Sequence, residues 1–249
     1  MNCSFSVGYQ NKGFANSGFN YICNTFAPVD SSKSLTLGDI VPNANVKKSS
    51  IQFLTSQGTV NKVEFDGKQV GEVYIYWREK DDPEQGEGWY LNADEDGEIN
   101  QNSRVVALGD SYCVNNKDTD AMFVYSGAVP GETPKQFTVS GFNYIGNCVP
   151  AKIGLGDVTP NSDFKKSSIQ FLTSQGTVNK VEFDGKQVGE VYTYWREKDD
   201  PEQGEGWYLN ADEDGEINQG KRVLEAGESF CVNNKDGSVA ILTFPDVTK

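Results

Sequence analysis

The sequence predicts an all-β protein built from two tandem antiparallel β-sandwich or barrel-like modules related by internal duplication. The block from Lys47 to Gln101 returns as Lys165 to Gln219, 118 residues later, with 54 of 55 positions unchanged and Ile75 replaced by Thr193. Short runs alternate apolar and polar residues, the period-two signature of half-buried strands. No helical spacing of apolar residues persists for about three turns, and turn signals recur roughly every 8 to 12 residues, as in sandwiches and barrels. A period of 118 residues matches a unit with its own core and not a solenoid repeat, so the expected modules are 1–129 and 130–249.

Each module opens on an alternating run, Phe19-Asn20-Tyr21-Ile22 in the first and Phe142-Asn143-Tyr144-Ile145 in the second; Phe5 to Tyr9 adds a further run at the start of the chain. Leu37-Gly38-Asp39-Ile40 and Leu155-Gly156-Asp157-Val158 follow, with five extra residues in the first copy marking a surface loop. Inside the repeated block, Ile51 to Leu54 reads as a strand, and Val63-Glu64-Phe65 leads into Asp66-Gly67. Asp-Gly between apolar alternations is a strong hairpin signal, because both central residues of a type I′ turn need positive φ. Val73 to Trp77 and Gly88 to Leu91 are expected to form another hairpin across an acidic loop. The modules close on Arg104-Val105-Val106, Ser111 to Val114 and Met122 to Tyr125, matched by Arg222-Val223-Leu224, Ser229 to Val232 and Ala240 to Phe244. Pro130-Gly131-Glu132-Thr133-Pro134 reads as a short, stiff linker.

The formal net charge is −14, and each copy of the block holds 12 acids and 6 bases, so the two blocks supply −12 of it. Such a surface repels phosphate backbones and offers no basic patch to anionic lipid, so neither nucleic acid nor a membrane surface is an expected partner. No apolar run approaches the roughly 18 residues needed to span a bilayer, and Met1 to Gln10 lacks the pattern of a leader. A cytosolic protein or a mature chain whose leader has been removed both fit that start, and abundant Asn, Gly, Ser, Thr and Tyr with no His and two Met favour the second, a secreted or cell-surface protein.

Four groups of residues could carry function. The acidic stretch Asn92-Ala93-Asp94-Glu95-Asp96-Gly97-Glu98-Ile99 follows the first eight positions of a calcium loop, with Asn210, Asp212 and Asp214 repeating Asn92, Asp94 and Asp96. Position twelve, normally a bidentate acid, is Ser103 or Lys221, so a solvated acidic turn competes with calcium, and no other cofactor is expected. Beside it cluster Tyr74, Tyr76, Trp77, Trp89 and Tyr90, repeated as Tyr192, Tyr194, Trp195, Trp207 and Tyr208. Alternation sends half to each sheet face; an outward face of Tyr and Trp beside carboxylates suits sugar rings, while the inward face suits a core. Ile75 giving way to Thr193 puts Val73 and Trp77 on the tolerant face.

Five cysteines form the third group. The simplest pairing joins Cys23 to Cys113 and Cys148 to Cys231 and leaves Cys3 to bridge to another chain; buried reduced thiols are the alternative. The fourth group is the acids taken as a catalytic pair, and here support is thin. The absence of His removes Ser-His, Cys-His and His-metal chemistry. Acids on a charged loop hold the separation that a glycosidase needs poorly, so no enzyme activity is expected.

Ser140-Gly141-Phe142-Asn143-Tyr144-Ile145-Gly146-Asn147, Leu155-Gly156-Asp157-Val158 and Leu224-Glu225-Ala226-Gly227-Glu228-Ser229-Phe230 resemble β-rich modules of bacterial secreted and surface proteins. Cys23 departs from that pattern where the second copy has Gly146. The resemblance implies an extracellular β-module and transfers no ligand or active residue. The expected function is non-enzymatic binding, with carbohydrate as the favoured ligand. A structural or adhesive protein that assembles with other chains is the alternative, and a toxin-like effector recognising a receptor is the third.

Overall fold

A computed structural model describes residues 6–14, 18–43, 49–77, 86–94, 99–117, 121–136, 141–161, 164, 167–196, 204–212, 217–235 and 239–248. Asp96, Asp214 and Cys3 lie outside the described residues. The protein is all-β: every sheet is antiparallel, and the only helical pieces among the described residues are single 3-10 turns such as Leu37–Asp39 and Leu155–Asp157.

In the first half the strands are β1 (Val7–Gly13), β2 (Gly18–Cys23), β3 (Val41–Pro42), β4 (Ser50–Gln52), β5 (Lys62–Phe65), β6 (Lys68–Gly71), β7 (Val73–Trp77), β8 (Gly88–Leu91), β9 (Ser111–Asn116) and β10 (Met122–Ala128). A five-stranded sheet runs β2-β9-β4-β7-β8, a three-stranded sheet runs β1-β10-β3, and β5-β6 forms a separate hairpin. Ile51, Tyr74, Trp89, Tyr112 and Val114 from the large sheet meet Phe123 and Tyr125 from β10 in one buried cluster. Period two explains the arrangement, since alternate residues of β9 and β10 point into that cluster while their neighbours face away.

The second half uses β11 (Thr133–Gln136), β12 (Gly141–Gly146), β13 (Ile153–Gly154), β14 (Thr159–Pro160), β15 (Ser168–Gln170), β16 (Lys180–Phe183), β17 (Lys186–Gly189), β18 (Val191–Trp195), β19 (Gly206–Leu209), β20 (Val223–Leu224), β21 (Ser229–Asn234) and β22 (Ile241–Phe244). Its sheets run β12-β21-β15-β18-β19 and β11-β22-β14, with hairpin β16-β17 and the small pair β13-β20. The Asp-Gly hairpins form as their chemistry requires: Asp66 and Gly67 have φ of 49° and 71°, and Asp184 and Gly185 have 48° and 71°. The expected linker is shorter than its sequence suggests, because Thr133 and Pro134 already belong to β11. β11 is an edge strand, the place in a sheet where proline is tolerated.

The edges of the two large sheets, β2 and β12, are turned toward each other, and several contacts are repeated with the halves exchanged. The Phe19 amide donates to the Ser174 carbonyl at 2.5 Å, and the Phe142 amide donates to the Ser56 carbonyl. Ile22 bridges Glu228, and Ile145 bridges Asp110. Tyr21 stacks on Tyr144 with ring centroids 6.0 Å apart, and the Ser111 and Ser229 hydroxyls share a hydrogen bond. These edges, which would otherwise offer open backbone groups, are thereby covered.

Candidate functional site

The repeated aromatics separate by strand parity. Tyr74 and Tyr76 on β7 and Trp89 on β8 face the core, where Trp89 is fully buried and its Nε1 donates to the Ile40 carbonyl at 3.2 Å. Tyr76 meets Trp89 edge to face, with centroids 5.1 Å apart, and its hydroxyl donates to Glu87 at 2.8 Å. Tyr192, Tyr194 and Trp207 repeat this arrangement, with Trp207 Nε1 donating to the Val158 carbonyl at 3.0 Å. Burial, with Glu205 beside it, pushes the Tyr194 hydroxyl up to about 12.

Of the five rings singled out in each half, alternation sends three inward, and of the other two only the tryptophan of β7 or β18 is exposed. Trp77 is 37% exposed and Trp195 38%, while Tyr90 and Tyr208 are buried although they lie on the outward parity of their strands. The Tyr90 hydroxyl donates to the Gly86 carbonyl, and Asn100 bridges Tyr90 from the side. Tyr208 meets Trp195 edge to face at 6.2 Å. Ile75 and Thr193 sit on this outward face between Val73 or Val191 and the tryptophan, as the substitution suggested. In the second half the Thr193 hydroxyl donates to Asn210 Oδ1 at 2.6 Å, so a polar pair adjoins Trp195 where the first half offers Ile75.

The acidic turn uses its described carboxylates internally. Asp94 is buried and its Oδ2 accepts the Ile99 amide at 3.0 Å; Asp212 does the same for Ile217 at 2.9 Å. These are the third positions of the expected calcium loops, and each closes its turn. Among the described residues, no three Cys, Asp or Glu side chains are gathered as a metal would need.

Neither expected disulfide forms: Cys23, Cys113, Cys148 and Cys231 are all buried thiols. The register explains the first correction, because Tyr21 lies opposite Cys113 and Ser111 opposite Cys23. The two cysteines are thus diagonal neighbours, about 7–8 Å apart, beyond the usual span of a bridge. Cys148 sits past the end of β12 in the core, donating to the Gly146 carbonyl at 3.2 Å, while Cys231 stands opposite Tyr144 on the other side of the sheet. Burial pushes the Cys113 and Cys231 thiols up to about 12.

A buried carboxylate in each half has no counterpart in the sequence reading. Glu72 is 3% exposed; its Oε1 accepts from Tyr74 at 3.1 Å and from Arg104 Nε at 2.9 Å, and its Oε2 accepts from Asn61 at 2.6 Å. Arg104 lies over the Phe53 ring at 3.5 Å. Glu190, Tyr192, Asn179, Arg222 and Phe171 repeat the set. Every acceptor named is used, so the group locks the β5-β6 and β16-β17 hairpins to their sheets and offers no spare base. The available signal was an acid between Gly71 and Val73 together with an Arg kept in both copies. A cleft of about 310 Å³ lined by Val29, Asp30, Lys33, Ser34, Leu35 and Asp39 was also missed, although it surrounds the loop that carries the five extra residues.

Comparison with protein-family models, with curated proteins and with solved structures finds no match for this chain.

Proposed function

We propose that the chain is a non-enzymatic extracellular binding protein with two like sites for carbohydrate, one on the outward face of each large sheet. The observation that carries the reading is the matched pair Trp77 and Trp195, each more than a third exposed at the same position of β7 and β18. An exposed indole stacks on the apolar face of a sugar ring, and neighbouring hydroxyl and amide groups such as Thr193 and Asn210 bond its edge. Two weak sites on one chain gain avidity on a ligand that repeats. The resemblance to secreted bacterial β-modules supports the extracellular placement. The Ile75 and Thr193 difference makes the second site the more polar of the two.

The test is a glycan array read with the intact chain and with Trp77→Ala/Trp195→Ala, in calcium and in chelator. Loss of all hits in the double variant, with an unchanged melting temperature, supports the reading. Hits that survive the double variant place the site elsewhere, and hits that vanish in chelator move it to the acidic turn.

A second reading, assembly with other protein chains, is favoured by the outer side of the β1-β10-β3 sheet. Val7, Tyr9 and Val41 are exposed there, and Thr159 takes the place of Val41 in the second half. Concentration-dependent oligomers of the wild type and no glycan hit would select it.

A further inference from the structure

The contacts between the halves obey a two-fold rule. Residues that meet their own equivalents lie on the axis: Tyr21 on Tyr144, and Ser111 on Ser229. Off the axis several contacts occur twice. Tyr144 covers Gly58 and Tyr21 covers Gly176 so closely that an added Cβ would lie 2.7 Å and 2.9 Å from their hydroxyl oxygens. Such a surface is isologous, the kind by which identical subunits form closed dimers. Read as backbone, each half could pair with a copy of itself.

One axial position breaks the rule. Cys23 of the first half meets Gly146 of the second, where an added Cβ would stand 2.3 Å from the Glu228 carbonyl oxygen of its own half, 2.6 Å from the Cys23 Cβ and 2.8 Å from the Ser229 Cα. A cysteine on both sides would overpack the axis, whereas a glycine on both sides would leave a void. Cys23 instead completes the core cluster of the second half, and Leu108 packs against the same cluster. Polar contacts add to the asymmetry. Gln10 Nε2 donates to the Ala226 carbonyl at 2.9 Å, and Lys12 lies near Glu228 and Glu225. Ala107 occupies the place of Glu225 in the first half, so a second first half could not supply that charge.

From this we infer that the joining face is a module-docking surface made selective for unlike partners. The partner of the first half is a second half, from its own chain or another copy, and Cys23 against Gly146 excludes first-half pairs. Specificity of this kind comes from a steric penalty on the wrong pair as much as from contacts in the right one.

The test starts from the whole folded chain with a protease site inserted after Pro130. After cleavage the halves are dissociated by dilution, reconcentrated and counted by native mass spectrometry. Mixed pairs should re-form, with first-half pairs about fivefold or more scarcer, since overpacking shifts a pairing equilibrium by a factor of about five or more. Cys23→Gly should raise first-half pairs to the level of second-half pairs. Separation into lasting monomers, first-half pairs as abundant as mixed ones, or no response to Cys23→Gly would overturn the inference.

The uncut chain gives a second measurement that needs no free half. Gly146→Ala should speed alkylation of Cys113 and Cys231 by opening the joint, and Cys23→Gly in the same chain should recover part of that effect. Strictly additive effects of the two substitutions would overturn the pairing of these positions.

Discussion

In the first half, Tyr112 and Tyr125 join their hydroxyls at 2.6 Å inside the core. In the second half, Phe230 and Phe244 occupy the same places, with ring centroids 6.5 Å apart and planes 27° from parallel. The two hydroxyls are present together or absent together, which is what burial demands, since one phenol left without the other would lose water and gain no partner. The ring beside the central tryptophan differs as well. Phe123, itself met by Phe14 at 4.8 Å, lies 5.7 Å from Trp89, whereas Phe164 lies 5.6 Å from Trp207. A block kept to one change in 55 residues thus supplies one wall of each core, and the flanking strands close it with different but internally consistent side chains.

The sharpest way to break this comparison is to remove the shared wall. Trp89→Ala and Trp207→Ala should each cost about 3–5 kcal/mol, the range for deleting a large buried aromatic. Denaturant unfolding followed by fluorescence measures both. Near-equal losses would show that the two sets of flanking rings support the tryptophan equally well. A loss below about 1 kcal/mol in either half would mean that its core is not closed as described.

A smaller effect tests the paired hydroxyls. Tyr112→Phe alone should cost about 1–3 kcal/mol by stranding the Tyr125 hydroxyl, and Tyr112→Phe/Tyr125→Phe should return close to wild-type stability. Phe230→Tyr, introducing a lone phenol into the second core, should destabilise by a similar amount. If the single and double Tyr variants unfold at the same midpoint, the hydroxyls do not act as a pair, and the difference between the halves is one of packing alone.

How far the sequence foretells these features depends on their range. Turn chemistry and strand parity are local, so Asp66-Gly67, the β7-β8 pairing and the outward placement of Ile75 and Trp77 follow from adjacent residues. Tyr90 shows where parity stops being enough, because it lies on the outward parity of its strand yet is buried, beside a backbone bridge to Asn100 from beyond its own strand. Cysteine pairing fails for the same reason: spacing matched Cys23 with Cys113, but register, a property of two strands together, set them one pair apart. The Glu72 and Arg104 pair and the two-fold joint are separated in sequence by 32 and by about 118 residues, and no single stretch announces them.

The smallest expected effect lies at the joint, where the halves meet as unlike partners. Burial lowers the pKa of Lys12 from 10.5, and the attraction of Glu228 and Glu225 across the joint only partly offsets it. Because the folded-state value lies below the unfolded one, the folded protein bears the penalty of the charged form at neutral pH, and the penalty fades as pH rises toward 10.5. Lys12→Met should therefore raise the melting temperature at pH 7. The advantage should shrink as pH approaches 10.5, where the unfolded lysine also loses its charge. A lower melting temperature for Lys12→Met at pH 7 would show the reverse balance, with the two carboxylates of the second half holding Lys12 more strongly than burial opposes it.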